Sequence, residues 1–356
     1  MNRHGIAVGL LIATLLLVGY AAVGGVLNSE VSSGPDDAAW VGVAFGAVVL
    51  AFTTSGYIIA SRNGNPLGWL LLGIGTIEAL GAAASAYAVY ALLNRPSSLP
   101  GEMAAWTADF IIGGLGIVFG SLIFVFLLFP DGRLPGRWWR TVAGVGFGGI
   151  VLAQVQVALN PGRLAGFPTV DNPLGVRGLE DAIAVMQSVA FGALTLSLLA
   201  AAVSLVIRFR RSRGIERQQL KWFTTASAFL ALAIVSGPIW WGLFPGVGNV
   251  VWPVLFASSL SAIPIAMGIA ILKYRLYDID VVINKTLVFG ALAAFITGIY
   301  VAVVVGIGEL LGSAEEPNLA LSIAATALVA IAFQPVKDRV ERVANRLVYG
   351  VRRTPY

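Results

Sequence analysis

The chain has 356 residues, of which 58% are hydrophobic and 12% charged; it carries a formal charge of +5, one histidine and no cysteine. A charged share about half the roughly 25% of ordinary soluble domains argues against a water-soluble fold. The missing cysteines exclude disulfides, thiolate nucleophiles and cysteine-based metal sites. A positive net charge alone does not point to nucleic acid, and no nucleic-acid partner is expected.

Apolar runs near 20 residues recur along the chain, the length a helix needs to cross roughly 30 Å of hydrocarbon. Backbone polar groups in lipid must pair within the chain, so these runs are helices; the polar-apolar alternation of a membrane barrel is absent. In chain order the predicted spans are residues 5–27, 39–60, 66–93, 105–129, 139–159, 182–207, 219–242, 250–272, 286–311 and 319–336. The first follows Arg3 and His4 as a signal peptide would, but it exceeds the usual apolar core of about 7–15 residues and is read as a retained helix. The expected architecture is all-α: a polytopic transmembrane bundle of about ten helices over residues 1–336, then a basic amphipathic juxtamembrane helix and tail over 337–356.

Orientation follows from lysine and arginine in alternate loops, because cytoplasmic loops carry the excess. One set of segments holds all but three of the 23 basic residues, including Arg62, Arg133, Arg137, Arg140, Lys273, Arg275, Lys285 and the run Arg208, Arg210, Arg211, Arg213 and Arg217. The alternate set holds only Arg95, Arg163 and Arg177, together with acidic residues such as Glu30, Asp171, Glu180 and Glu315. Both termini are therefore predicted to be cytoplasmic, in a plasma membrane, and the arginines from Arg208 to Arg217 to form a basic cytoplasmic face. The longest outer loop, about Asn160 to Asp181, is too short for a folded extracellular domain, so an external ligand must meet the bundle itself.

Glycine supplies 42 residues, and pairs such as Gly42 and Gly46, Gly116 and Gly120, and Gly144 and Gly148 share a helical face, which predicts close helix approach. Glu78, twelve residues after Pro66, falls near mid-membrane and should face the bundle interior. It reads either as a ligand contact or proton-sensitive switch, or as a carboxyl satisfied by neighbouring hydroxyl or backbone groups. Asp109 and Glu309 lie near outer helix ends, where interfacial exposure is the plainer expectation and a site role the sharper one. Trp240, Trp241 and Trp252 flank a short outer turn, and read as an interfacial aromatic belt or as a lid over an apolar pocket. Pro238, Pro253 and Pro264 interrupt helices as possible hinges.

Enzyme chemistry finds little support. His4 is the sole histidine, no phosphate-cradling loop is present, and neither a cofactor nor a metal is expected. Beyond the last span, Val336, Val340, Val343 and Leu347 recur at spacings of four, three and four, with charged residues on the other faces. Such a seam reads either as a signal-relaying contact with a second subunit or as a helix lying on anionic lipid.

Five segments are distinctive together: Asn65 to Trp69 (Asn-Pro-Leu-Gly-Trp), Phe129 to Pro135 (Phe-Pro-Asp-Gly-Arg-Leu-Pro), Arg213 to Trp222, Tyr274 to Asn284, and Ala332 to Tyr356. In this order they resemble the membrane-embedded N-terminal sensor region of bacterial two-component sensor histidine kinases, and the likeness covers nearly the whole chain. The resemblance implies a signal-sensing input module that relays movement of the last transmembrane helix to a cytoplasmic kinase portion or a response-regulator pathway, and it implies a homodimer. The phospho-accepting histidine and ATP-binding lobe of such kinases have no counterpart here, so kinase activity is not carried over. The rival readings are a small-molecule transporter or channel coupled through Glu78, and a membrane scaffold.

Overall fold

The computed structural model describes residues 3–28, 39–63, 65–94, 101–113, 116–243, 247–272 and 333–339. Among them the ordered elements are helical: α1 (Arg3–Leu27), α2 (Ala39–Asn63), α3 (Pro66–Val89), α4 (Glu102–Ala108), α5 (Gly116–Leu128), α6 (Arg137–Leu159), α7 (Glu180–Arg211), α8 (Gly214–Leu243) and α9 (Val247–Leu272). A π-helical turn, Tyr90–Asn94, extends α3, and another, Asp109–Gly113, follows α4. Counting α4 to α5 as one passage, eight helices are long and apolar enough to cross a membrane, which makes the chain a multi-pass helical bundle. They coincide with the first eight predicted spans. The ninth, 286–311, and nearly all of the tenth lie outside the described residues.

Two compact units are distinguished, Met1–Tyr274 and Arg275–Tyr356. In the second, the described part is one short helix, 333–339, in which Gln334 Nε2 donates to Asp338 Oδ1 at 3.4 Å and Val336 is half-buried. The remaining seam residues Val340, Val343 and Leu347, and Glu309, lie outside the described residues.

Local chemistry sets the helix ends. Asn65 caps α3, its Oδ1 accepting from the Leu67 N–H at 3.0 Å, and Pro66 opens the first turn, where a missing N–H costs nothing. Glu180 and Asp181 open α7, and Arg208, Arg210 and Arg211 close it, each set complementing the helix dipole. The prolines predicted to interrupt the seventh and eighth spans are accommodated within continuous helices, Pro238 in α8 and Pro253 and Pro264 in α9.

Within the first unit, α3 packs on α1 and α2, α2 on α9, and α9 on α8; α6 and α7 pair and flank α5. Leu122, Ile123, Val125, Phe126 and Leu127 of α5 are all buried, as a helix apolar on every side must be when others surround it. The outer surfaces invert the soluble pattern: Leu16, Phe191, Leu196 and Val235 are each about two-thirds or more exposed. Lipid, not water, satisfies such faces.

Glycine contacts differ from expectation in their location. Gly116 and Gly120 do meet α6, but Gly42, Gly46, Gly144 and Gly148 face open space among the described residues. The spacing that puts two glycines on one face does not say which face meets a neighbour. The closest approach is between α2 and α3, where a Cβ on Gly56 would lie 2.4 Å from the Leu72 nitrogen and one on Gly68 would lie 2.3 Å from the Ala60 nitrogen. Gly68→Ala is therefore expected to force the two backbones apart and cost about 1–3 kcal/mol. Gly144→Ala, with no atom within 4 Å, should leave the unfolding temperature in detergent unchanged or slightly raised.

Candidate functional site

Six helix ends meet at the basic end of the first unit: the start of α3, the end of α5, the start of α6, the end of α7, the start of α8 and the end of α9. The constraint originates in Pro130. A helical carbonyl normally receives the N–H four residues later, and for Phe126 that residue is Pro130, which has none. Arg208 of α7 supplies the missing donors. Its Nη2 donates to the Phe126 carbonyl, its Nη1 to the Phe129 carbonyl, and its Nε to its own helix at Ser204, 3.4 Å away. A cation at the carbonyl end of α5 is also favoured by that helix's dipole.

The other motifs close around this clamp. Asn65 Nδ2 donates to the Pro130 carbonyl at 2.9 Å, tying the start of α3 to the same turn. Gly132 has φ +72°, and a Cβ there would lie 2.6 Å from Pro66 and 2.7 Å from Asn65 Oδ1, so both backbone sign and space call for glycine. The Phe129 ring stacks on Phe223 of α8 at 4.4 Å, and Phe126 meets the same ring edge-on at 5.4 Å. Gln219, buried on α8, donates to the Ala270 carbonyl near the end of α9 at 3.1 Å. Two of the five distinctive segments, those beginning at Asn65 and Phe129, thus bond directly at this junction, and the one beginning at Arg213 borders it, since Glu216 lines a cavity with Pro135 and Arg208.

The predicted basic face needs a correction. Arg210, Arg211, Arg213 and Arg217 are exposed, with Arg217 lying 5.6 Å over the Phe209 ring. Arg208 is half-buried and spends its donors on backbone, so it holds the bundle together instead of facing solvent. The i, i+2 and i+3 spacing in the sequence could not separate these roles; the proline-created vacancy at Phe126 was the available signal.

Glu78 stands on α3 one turn from Gly75, which abuts Thr53 of α2, and one turn from Gly81, which abuts Ile111 and Ile112. Its Oε1 is buried with no hydrogen-bond partner among the described residues. Hydroxyls on α1, α2 and α3 are engaged elsewhere: Thr53 donates to Val49, Thr76 to Leu72 and Thr14 to Leu10, with Thr14 and Thr76 2.9 Å apart.

Asp109 is not exposed at an interface. It is buried, with Oδ1 accepting from the Gly166 N–H at 2.8 Å, because the connection from α6 to α7 folds down over it. Asn172 knits that connection by donating to the carbonyls of Val157, Ala158 and Asn160, while Leu164 and Val170 are buried against Ala88 and Ala105. Trp252 lies half-buried against α8, its Nε1 donating to Ala233 at 2.9 Å and its ring stacked on Phe256 at 5.1 Å. Gly237 leaves the room, since a Cβ there would lie 2.7 Å from the Trp252 nitrogen. Trp241 lies on α8 with its side chain outside the described residues, and Glu309 is outside them altogether.

Among the described residues no three His, Asp or Glu converge on a point that would hold a metal ion. What the basic-end junction can do is mechanical: it transmits displacement of one helix end to others through short, directional contacts. Arg208→Ala is expected to leave the Phe126 and Phe129 carbonyls unsatisfied and to cost about 1–3 kcal/mol, read as a lowered unfolding temperature in detergent. Arg210→Ala, which removes only an exposed charge, should change stability by no more than about 0.5 kcal/mol.

Comparison of the chain with protein-family models, with curated proteins and with solved structures found no match.

Proposed function

We propose that the chain is a signal-sensing input module of the kind that precedes the kinase portion of bacterial two-component sensor histidine kinases. The observation that carries this reading is the basic-end junction, where Arg208, Asn65 and Phe223 bind the Phe126–Pro130 turn from three separate helices. An input module needs its helix ends to move together; Asn65, Phe129 and Pro130 lie in segments that resemble the sensor family, and Arg208 and Phe223, which lie outside those segments, complete the contacts. The lysine and arginine bias assigns this end to the cytoplasm, where a kinase portion or response-regulator pathway would receive the movement. Relay runs through the last transmembrane helix and the seam of Val336, Val340, Val343 and Leu347, with pairing of two copies through that seam. A signal acts by binding one arrangement of the bundle better than another.

The unpartnered Glu78 Oε1 favours a second reading, a transporter or channel coupled through that carboxyl, because an ionisable group inside a membrane bundle commonly marks a solute or proton path.

One experiment separates them. Residues 1–356 are joined to a dimeric kinase core and phosphorylation is recorded in membrane vesicles. Inserting one residue after Leu347 turns all that follows by about 100° and should change output severalfold. Output indifferent both to the insertion and to Glu78→Gln would contradict the input-module reading, and solute flux lost in Glu78→Gln would establish the rival.

A further inference from the structure

The end of the bundle opposite the Arg208 junction holds a cavity of about 250 Å³ between α6, α7 and the connection joining them. It is smaller than the roughly 300–1,000 Å³ of drug-sized pockets, which sets the scale of an occupant. Asp109 lines its inner part, buried and held in position by the Gly166 N–H on Oδ1, while Oδ2 makes no hydrogen bond among the described residues. Arg163 lines the same cavity from the exposed connection. Neither residue makes an ion pair within 4.0 Å among the described residues, so a carboxyl and a guanidinium line one cavity without a direct bond between them. The amides of Gln156 and Gln187 add donors and acceptors, and Ala190 and Leu194 extend an apolar wall to about four turns into α7.

We propose that this cavity binds a small zwitterion carrying a primary ammonium and an anionic group. The ammonium takes the open Asp109 oxygen, the anion takes the Arg163 guanidinium, and the amides satisfy the remaining polar atoms. An anion alone would leave the buried Asp109 beside the ligand without a counter-charge, which is costly where water is scarce, and a cation alone would forgo the Arg163 guanidinium at the exposed rim. Two sources present this chemistry, a free amino acid with an apolar side chain and the headgroup of phosphatidylethanolamine. The site is independent of the relay proposed above, because its occupancy is read directly.

The test is equilibrium binding to the purified full chain in detergent micelles, with leucine and dihexanoyl phosphatidylethanolamine as probes. Leucinamide and 4-methylpentanoate, and dihexanoyl phosphatidylglycerol for the lipid, each lack one of the two charges. At least one zwitterion is expected to bind saturably, its single-charge counterparts at least tenfold more weakly. Asp109→Asn and Arg163→Gln should each weaken the zwitterion at least tenfold. Leucine binding without the lipid assigns a soluble source, and lipid binding without leucine a headgroup. Failure of both zwitterions to saturate, or unchanged affinity in Arg163→Gln, would overturn the proposal. Arg163 is exposed, so that variant decides the matter even if Asp109→Asn does not fold.

Discussion

One absent hydrogen organises the basic end of the bundle. Pro130 cannot donate to the Phe126 carbonyl, and a carbonyl left bare inside a packed helical bundle costs about 1–3 kcal/mol. Arg208 removes that cost from a different helix, and because the guanidinium is a planar fork it reaches the Phe129 carbonyl as well. A local vacancy in α5 therefore becomes a tertiary bond to α7. The turn held this way presents the Pro130 carbonyl to Asn65 and the Phe129 ring to Phe223, so α3 and α8 are fixed by the same feature.

The helical framework was legible from the sequence because hydrocarbon thickness leaves little freedom: an apolar run of sufficient length has to be a helix, and its ends fall where polarity returns. The first eight spans agree for that reason. What length and polarity do not encode is rotation about each helix axis. Gly144 and Gly148 share a face that meets nothing described, whereas Gly56 and Gly68, which are not a pair on one helix, bring α2 and α3 almost into backbone contact. The π-helical turns after α3 and α4 escaped for a related reason. One extra residue per turn alters register without changing hydropathy; at Asp109–Gly113 the Phe110 carbonyl is met by Gln154 from α6 at 2.6 Å.

The site residues divide along the same line. Residue type singled out Glu78 and Asp109 and placed Arg208 in a basic run, but the partners that Asp109 and Arg208 find outside their own helices lie 57 to 82 residues away in sequence. Asp109 was expected at an interface because it lies near the outer end of its helix; the covering loop, pinned by Asn172 and by buried Leu164 and Val170, buries it. Trp252 was read from its proximity to an outer turn, and only the gap left by Gly237 on the adjacent helix lets its indole lie against α8.

The claim on which the rest depends is that Asn65 and Arg208 act on one turn as a unit. A double-mutant cycle in Asn65→Ala and Arg208→Ala, scored by unfolding free energy in detergent, measures it directly. Since both residues hold the Phe129–Pro130 segment, a coupling of at least about 0.5 kcal/mol is predicted. Strict additivity of the two losses would mean that the helix ends are fastened independently, and would contradict the account.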